Sequence, residues 1–305
     1  MKKFFLKYSV ILVLIIIVIL GYFSGISIPD LLVNLRVLNF WQTTIIITWF
    51  LVIALLSITG KKLILHYLGY NVGYKNIALI HFASISAHYS TPAKIGYPIT
   101  VYLLKKLENI PLPVSTATIV IELAVTVFIV SMVGLIGSLL YFTNHLKSLW
   151  QGLIVLLLVI LVLTCVFYAF YRKSKKFKVF FKDLKKALNL LSLKNIITYF
   201  IIQIVVQISI AIHMMMITRF LGSDISFWYA MISFSAAFFI GAVSMIPMGI
   251  GTRDISMVFY LSSFGVPSQI AIVVTVIQRV VTTGLGYLLG LISGGIIGIK
   301  SIYSK

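Results

Sequence analysis

The chain has 305 residues, of which 61% are hydrophobic and only 10% charged, with a mean hydropathy of +1.11. A soluble domain is typically about 45–50% apolar and about 25% charged, so the composition excludes a soluble enzyme, a disordered chain and a disulfide scaffold, and points to an integral membrane protein. The net charge is +19, from 25 Lys and Arg against 6 Asp and Glu, and the single Cys165 allows no disulfide within the chain.

Residues 8–24 follow Lys2, Lys3 and Lys7. The basic start suits a signal peptide, but the apolar core is long and no A-x-A-like site follows, which favours an uncleaved first helix. Residues 40–60 form a second span ending at Lys61 and Lys62. Stretches 114–142, 149–171, 195–218 and 268–299 are each long enough to cross a hydrocarbon core, which needs about 20 apolar residues. Two further stretches are interrupted. Residues 77–104 break at Ser90-Thr91-Pro92-Ala93-Lys94-Ile95-Gly96-Tyr97-Pro98, and 227–264 break at Pro247-Met248-Gly249-Ile250-Gly251-Thr252-Arg253-Asp254. Such broken helices are tolerated at membrane depth when they are shielded by protein or line a cavity. The expected fold is an all-α polytopic membrane protein with about six full spans and two re-entrant hairpins.

Charge tests this order. With the N-terminus inside, nineteen of the 25 basic residues fall on the cytoplasmic side, eight of them in the run 172–186. Arg36, Lys147 and Arg219 fall outside, and Lys94, Arg253 and Arg279 remain within the membrane. This bias places both termini in the cytoplasm and explains the net charge without nucleic acid. The basic run is a topology anchor that also suits anionic headgroups.

The two breaks align. Pro92-x3-Gly96, Pro111 and a helix with Glu122 correspond to Pro247-x3-Gly251, Pro267 and a helix with Gln278 and Arg279. One hairpin enters from inside and the other from outside, the pattern of an inverted-topology repeat whose broken segments mark the binding site. The expected organisation is one membrane domain: an N-terminal span and loop (1–39), a first repeat (40–142), a connecting span with the basic loop (143–194), an inverted second repeat (195–299) and a cytoplasmic tail (300–305).

Lys94 and Arg253 sit at the break tips. Pro98 suits a first helical position and Thr252 an N-cap. Two helix N-termini, each with a cation, would form an anion site, and the planar fork of Arg suits phosphate. Lys94 also has the option of snorkelling to the interface, and Arg253 of pairing with Asp254. Glu122 lies about 12 Å into its helix and Arg279 about 18 Å into its own from the other side. In a core about 30 Å thick these depths match, so the two are expected to pair or to share a hydrated cavity. Thr118 and Thr126 flank Glu122, and Thr275 and Thr283 flank Arg279, at spacings of four. The stripe Gly286, Gly290, Gly294, Gly298 suits close helix packing. The five histidines show no metal-ligand spacing. No nucleotide-binding loop, nucleophile elbow or acidic metal pair is visible, so no cofactor or metal is expected.

At STPAKIGYPITVYLL (90–104), STATIVIELAVTV (115–127), IPMGIGTRDISMVFYLSSFGV (246–266) and IAIVVTVIQRV (270–280) the chain resembles the lysylphosphatidylglycerol synthase transmembrane-region family, the flippase-like UPF0104 membrane proteins. Members show Pro-x-x-x-Gly-Glu, a helical Glu-Arg, Pro-x-Gly-x-Gly-x-Arg-Glu and a late helical Arg. Pro92, Gly96, Glu122, Gly251, Arg253 and Arg279 match. Tyr97 replaces the first acidic residue, Leu123 stands where Arg is usual, and Asp254 stands where Glu is usual. Some members move aminoacylated phosphatidylglycerol between leaflets with the help of an attached aminoacyltransferase domain, and others are linked to polyprenyl-phosphate sugars. This chain ends at Lys305 directly after its last predicted span, so the expectation is transport and not lipid aminoacylation.

The reading that results is a flippase-like carrier in the cell membrane. Lys94, Arg253 and Arg279 would hold the phosphate of an anionic phospholipid or of a polyprenyl-phosphate sugar. Glu122, Asp254, Gly96, Gly251 and Thr252 would support them. Two alternatives are a membrane-embedded transferase acting on a polyprenyl phosphate, and a non-catalytic partner of a separate synthase or glycosyltransferase.

Overall fold

Asn39 starts the first helix among the described residues, α1 (Phe40–Tyr67), by accepting from the Gln42 N–H at 2.8 Å, while the Gln42 side chain accepts from the Asn39 N–H at 2.9 Å. This reciprocal cap satisfies two of the orphan donors at a helix start. In the computed structural model, which describes residues 38–90, 96–141, 182, 185, 186, 188–244 and 249–303, the next elements are α2 (Tyr74–Ser90), α3 (Gly96–Glu108) and α4 (Leu112–Tyr141). After these come α5 (Leu193–Phe220), α6 (Phe227–Val243), α7 (Thr252–Ser263) and α8 (Ser268–Arg279). A π-turn over Val280–Leu285 then leads into α9 (Gly286–Tyr303). Ser192 and Ser226 cap α5 and α6 by accepting from Asn195 and Tyr229 N–H groups. The predicted spans 8–24 and 149–171 and the basic run up to Phe181 lie outside the described residues.

Among the described residues, four helices are long and apolar enough to cross a membrane: Phe40–Tyr67, Leu112–Tyr141, Leu193–Phe220 and the continuous Ser268–Gly298. They coincide with four of the predicted spans, with one difference. The span expected to stop at Gly60 runs to Tyr67, which places Lys61 inside the helix, 4% exposed. Lys62 faces another way, with its Nζ 4.0 Å from the centre of the Tyr74 ring. Both interrupted stretches are broken helices. At 17 residues each, α2 and α6 are about 25 Å long, short of a hydrocarbon core of about 30 Å.

Helix lengths repeat along the chain. The run of 28, 17, 13 and 30 residues in α1–α4 is followed by 28, 17 and 12 residues in α5–α7 and a 31-residue helix from Ser268. Packing follows the same order. Helix α1 lies along α5, α2 along α9 and α6 along α4, while each short pair, α2–α3 and α6–α7, folds back on itself. Asn76 at the start of α2 donates to Glu108 at the end of α3, at 2.7 Å, closing the base of the first pair.

The interior holds two main apolar clusters. One joins Phe50, Met214, Phe234, Met257, Leu261 and Ile277 from α1 and α5–α8. The other joins Ile58, Ile77, Ile80, Leu104 and Ile297 from α1–α3 and α9. The outer surface is also apolar: Trp41, Leu55, Phe128, Leu140, Trp228, Phe259 and Ile292 are exposed. Gln203, Gln207, His213, Asp254 and Gln278 are buried. An apolar exterior over an interior that also buries polar side chains suits lipid as solvent, not water.

The glycine stripe proves uneven. A Cβ on Gly290 would clash with the Phe82 carbonyl oxygen, whereas one on Gly294 would meet nothing within 4 Å. Gly290 is therefore a point of close approach between α9 and α2. Gly290→Ala is expected to destabilise the fold by about 1–3 kcal/mol through overpacking, with Gly294→Ala close to neutral, in thermal or denaturant unfolding of the detergent-solubilised protein.

Candidate functional site

The second break gathers charge. Gly251 is the N-cap of α7 at φ 81, a left-handed value that favours glycine. Its N–H donates to Asp254 Oδ2 at 3.1 Å. A carboxylate in the first turn fills an orphan donor and meets the positive end of the helix dipole. Thr252, expected as the N-cap, is instead the first helical residue. Its hydroxyl lies 2.9 Å from that of Ser244, across the break.

Asp254 also binds Arg279, from the far end of α8. Arg279 Nε donates to Oδ1 at 2.6 Å and Nη2 to Oδ2 at 3.0 Å. This two-pronged pair is buried, with the side chains 4% and 16% exposed. Arg279 Nη2 also donates to the Gly249 carbonyl at 3.4 Å, so one guanidinium ties α8 to the break itself. Arg279 is the last residue before the π-turn, a local widening of the helix often found at functional sites.

Arg253 precedes Asp254 by one residue, about 100° around the helix, and it points elsewhere. Its guanidinium carbon stands 5.2 Å from the centre of the Phe234 ring and 5.8 Å from that of Phe238, distances at which a cation is attracted to the ring face. Nη2 donates to Gln278 Oε1 at 3.4 Å. Gly241 permits this approach, because a Cβ there would lie 2.8 Å from Arg253 Cβ. The local Arg253–Asp254 pair, one of the two sequence readings, gives way to Asp254–Arg279.

At the first break the charges differ. Glu122 of α4 pairs with Lys61 of α1, Oε2 to Nζ at 3.4 Å, with side chains 22% and 5% exposed. Glu122 and Arg279 therefore do not pair with each other. Lys61, His81, Ser84, Ile85, Tyr97, Thr100 and Glu122 line a pocket of about 140 Å³. Lys94 lies outside the described residues, and Gly96 is the first residue of α3.

Sequence reasoning missed Lys61, His81, Tyr97 and Thr100. Lys61 was open to detection: the apolar run continues through LILHYL, and the first residue able to stop the helix is Gly69. Thr118 and Thr275 donate to the Val114 and Ala271 carbonyls of their own helices, at 3.1 and 2.8 Å, the usual way for a hydroxyl to be satisfied in an apolar helix.

Apolar spans, two broken helices and buried charge at both breaks define a polytopic membrane protein. The chain belongs to the family described as the lysylphosphatidylglycerol synthase TM region, whose model matches residues 5–290. It is similar to a UPF0104 membrane protein of Methanocaldococcus jannaschii, at 24% identity over 76% of this chain and 77% of that one.

Breaking a buried ion pair from one side costs more than removing it whole, because one charge is stranded. Asp254→Ala is expected to cost about 3 kcal/mol of stability or more. The double change Asp254→Ala/Arg279→Met is expected to recover part of that loss in a double-mutant cycle of unfolding midpoints.

Proposed function

We propose that the chain is a flippase-like carrier that binds the phosphate of an anionic phospholipid or of a polyprenyl-phosphate sugar and moves it between leaflets. The observation that carries this reading is the cluster at the start of α7. Arg253, Arg279 and Asp254 together carry one positive charge, at a helix N-terminus within an apolar bundle. Arg forks and free helix N–H groups suit phosphate oxygens, and the apolar exterior suits the tails.

The matched helix lengths and the crossed packing of α2 on α9 and α6 on α4 support an inverted repeat. In it, α2–α3 and α6–α7 are hairpins entering from opposite sides. The basic bias of the sequence supports cytoplasmic termini in a cell membrane. Lys94, on the first break, would bring a further cation to the same phosphate. Asp254 holds Arg279 in place, and Gly251 and Thr252 shape the break.

The test is exchange of labelled lipids by the protein in liposomes. Arg253→Gln is expected to slow exchange of anionic lipids or of a polyprenyl-phosphate sugar about tenfold or more, the scale of a lost charge-assisted hydrogen bond, with the fold retained. Folded protein that exchanges neither lipid overturns the reading. Transfer of sugar from a nucleotide sugar by the purified protein would mark a transferase instead.

A further inference from the structure

The phosphate reading leaves the pocket at the first break unused. Glu122 is the eleventh residue of its helix, and Arg279 the twelfth of the one beginning at Ser268, so an acid stands near the position that an arginine takes in the other half. Glu122 Oε2 is buried and, among the described residues, receives no hydrogen bond. Lys61 Nζ faces it at 3.4 Å. A buried pair kept only for stability needs its remaining lone pairs filled. This carboxylate instead lines a pocket of about 140 Å³, roughly ten times the ~10–15 Å³ that one water requires.

The ionisable groups around it come from four helices: Lys61 on α1, His81 on α2, Tyr97 on α3 and Tyr199 on α5. Lys61 favours the carboxylate.

We propose that Glu122, paired with Lys61, is a proton-exchange site, and that its protonation is the coupling step of transport. A hydronium in the pocket gives its proton to Glu122 Oε2. One O–H bond forms on the carboxyl, one breaks in the hydronium, and water remains. With Lys61 still an ammonium, the site gains one positive charge and the ion pair between α1 and α4 is lost, while the apolar contact of Ile64 and Leu68 with Ala117 and Ile121 remains. Loss of that pair would shift the balance between packings of the two helices, the two-state element that coupling requires. No nucleotide-binding motif exists in the sequence to supply energy otherwise. The coupling clause rests on the lipid-carrier reading; the proton site does not.

The experiment is infrared difference spectroscopy of the full chain in lipid nanodiscs across an acid-to-alkaline titration. A protonated-carboxyl band that titrates in the wild type, vanishes in Glu122→Gln and moves to higher pH in Lys61→Met is expected. Removing the cation should raise the proton affinity of Glu122 about tenfold or more. The neutral pair Lys61→Met/Glu122→Gln serves where a single variant fails to fold, and it too must lack the band. A band that survives Glu122→Gln or the double variant, or a midpoint unmoved by Lys61→Met, overturns the site. In liposomes, an imposed pH gradient should accelerate lipid exchange in the wild type and not in Glu122→Gln. Exchange indifferent to the gradient overturns the coupling and spares the carrier. A Glu122 band without any lipid exchange overturns the carrier and the coupling, and supports the proton site.

Discussion

The bidentate contact of Asp254 with Arg279 governs the geometry of the second half. An ionised arginine in an apolar helix needs a partner, because unpaired charge in a low-dielectric interior is costly. Asp254 meets that need from the first turn of another helix, while also accepting from the Gly251 N–H. One carboxylate thereby fixes the start of α7, the end of α8 and the break between α6 and α7. Arg253 follows from it. Once Asp254 faces α8, helical geometry turns its neighbour toward Phe234, Phe238 and Gln278.

The two breaks meet one problem with opposite charges. Each presents a short broken pair, a long helix with an ionisable residue near its middle, and a helix partner brought in from elsewhere. In the second half the long helix carries the cation and the break carries the acid. In the first, the long helix carries the acid, Glu122, and the cation comes from α1. The differences in hydrogen bonding follow from this. Arg279 has a planar fork that fills both oxygens of Asp254, whereas Lys61 approaches Glu122 as a point charge and leaves Oε2 without a hydrogen bond. A tight pair suits a fixed scaffold, and a loose one beside a pocket suits exchange with water.

Packing explains which glycines matter. Gly241 lets Arg253 lie close to α6, and Gly290 lets α9 reach the α2 backbone, while a Cβ on Gly294 of the same stripe would meet nothing within 4 Å. Regular spacing in sequence thus marks a face, and the room at Gly290 and Gly294 on it differs. The π-turn after Arg279 is of the same kind. Nothing in Val280–Leu285 announces it, and it arises where Arg279 is held by α7 while the helix continues toward α2.

Composition and local pattern by themselves determined the membrane class, four of the spans to within a few residues at most ends, and the position of both breaks. These depend on hydropathy summed over about 20 residues and on Pro and Gly, whose backbone effects are local. The motif residues around Gly251, Arg253, Asp254 and Arg279 were legible for the same reason. Tertiary structure alone decided the partners. Asp254 meets Arg279 across 25 residues of sequence, and Glu122 meets Lys61 where depth along the helices had suggested Arg279. Depth is one coordinate only. Which face a side chain presents, and which helix lies against that face, is set by packing between elements distant in sequence, and no local pattern carries it.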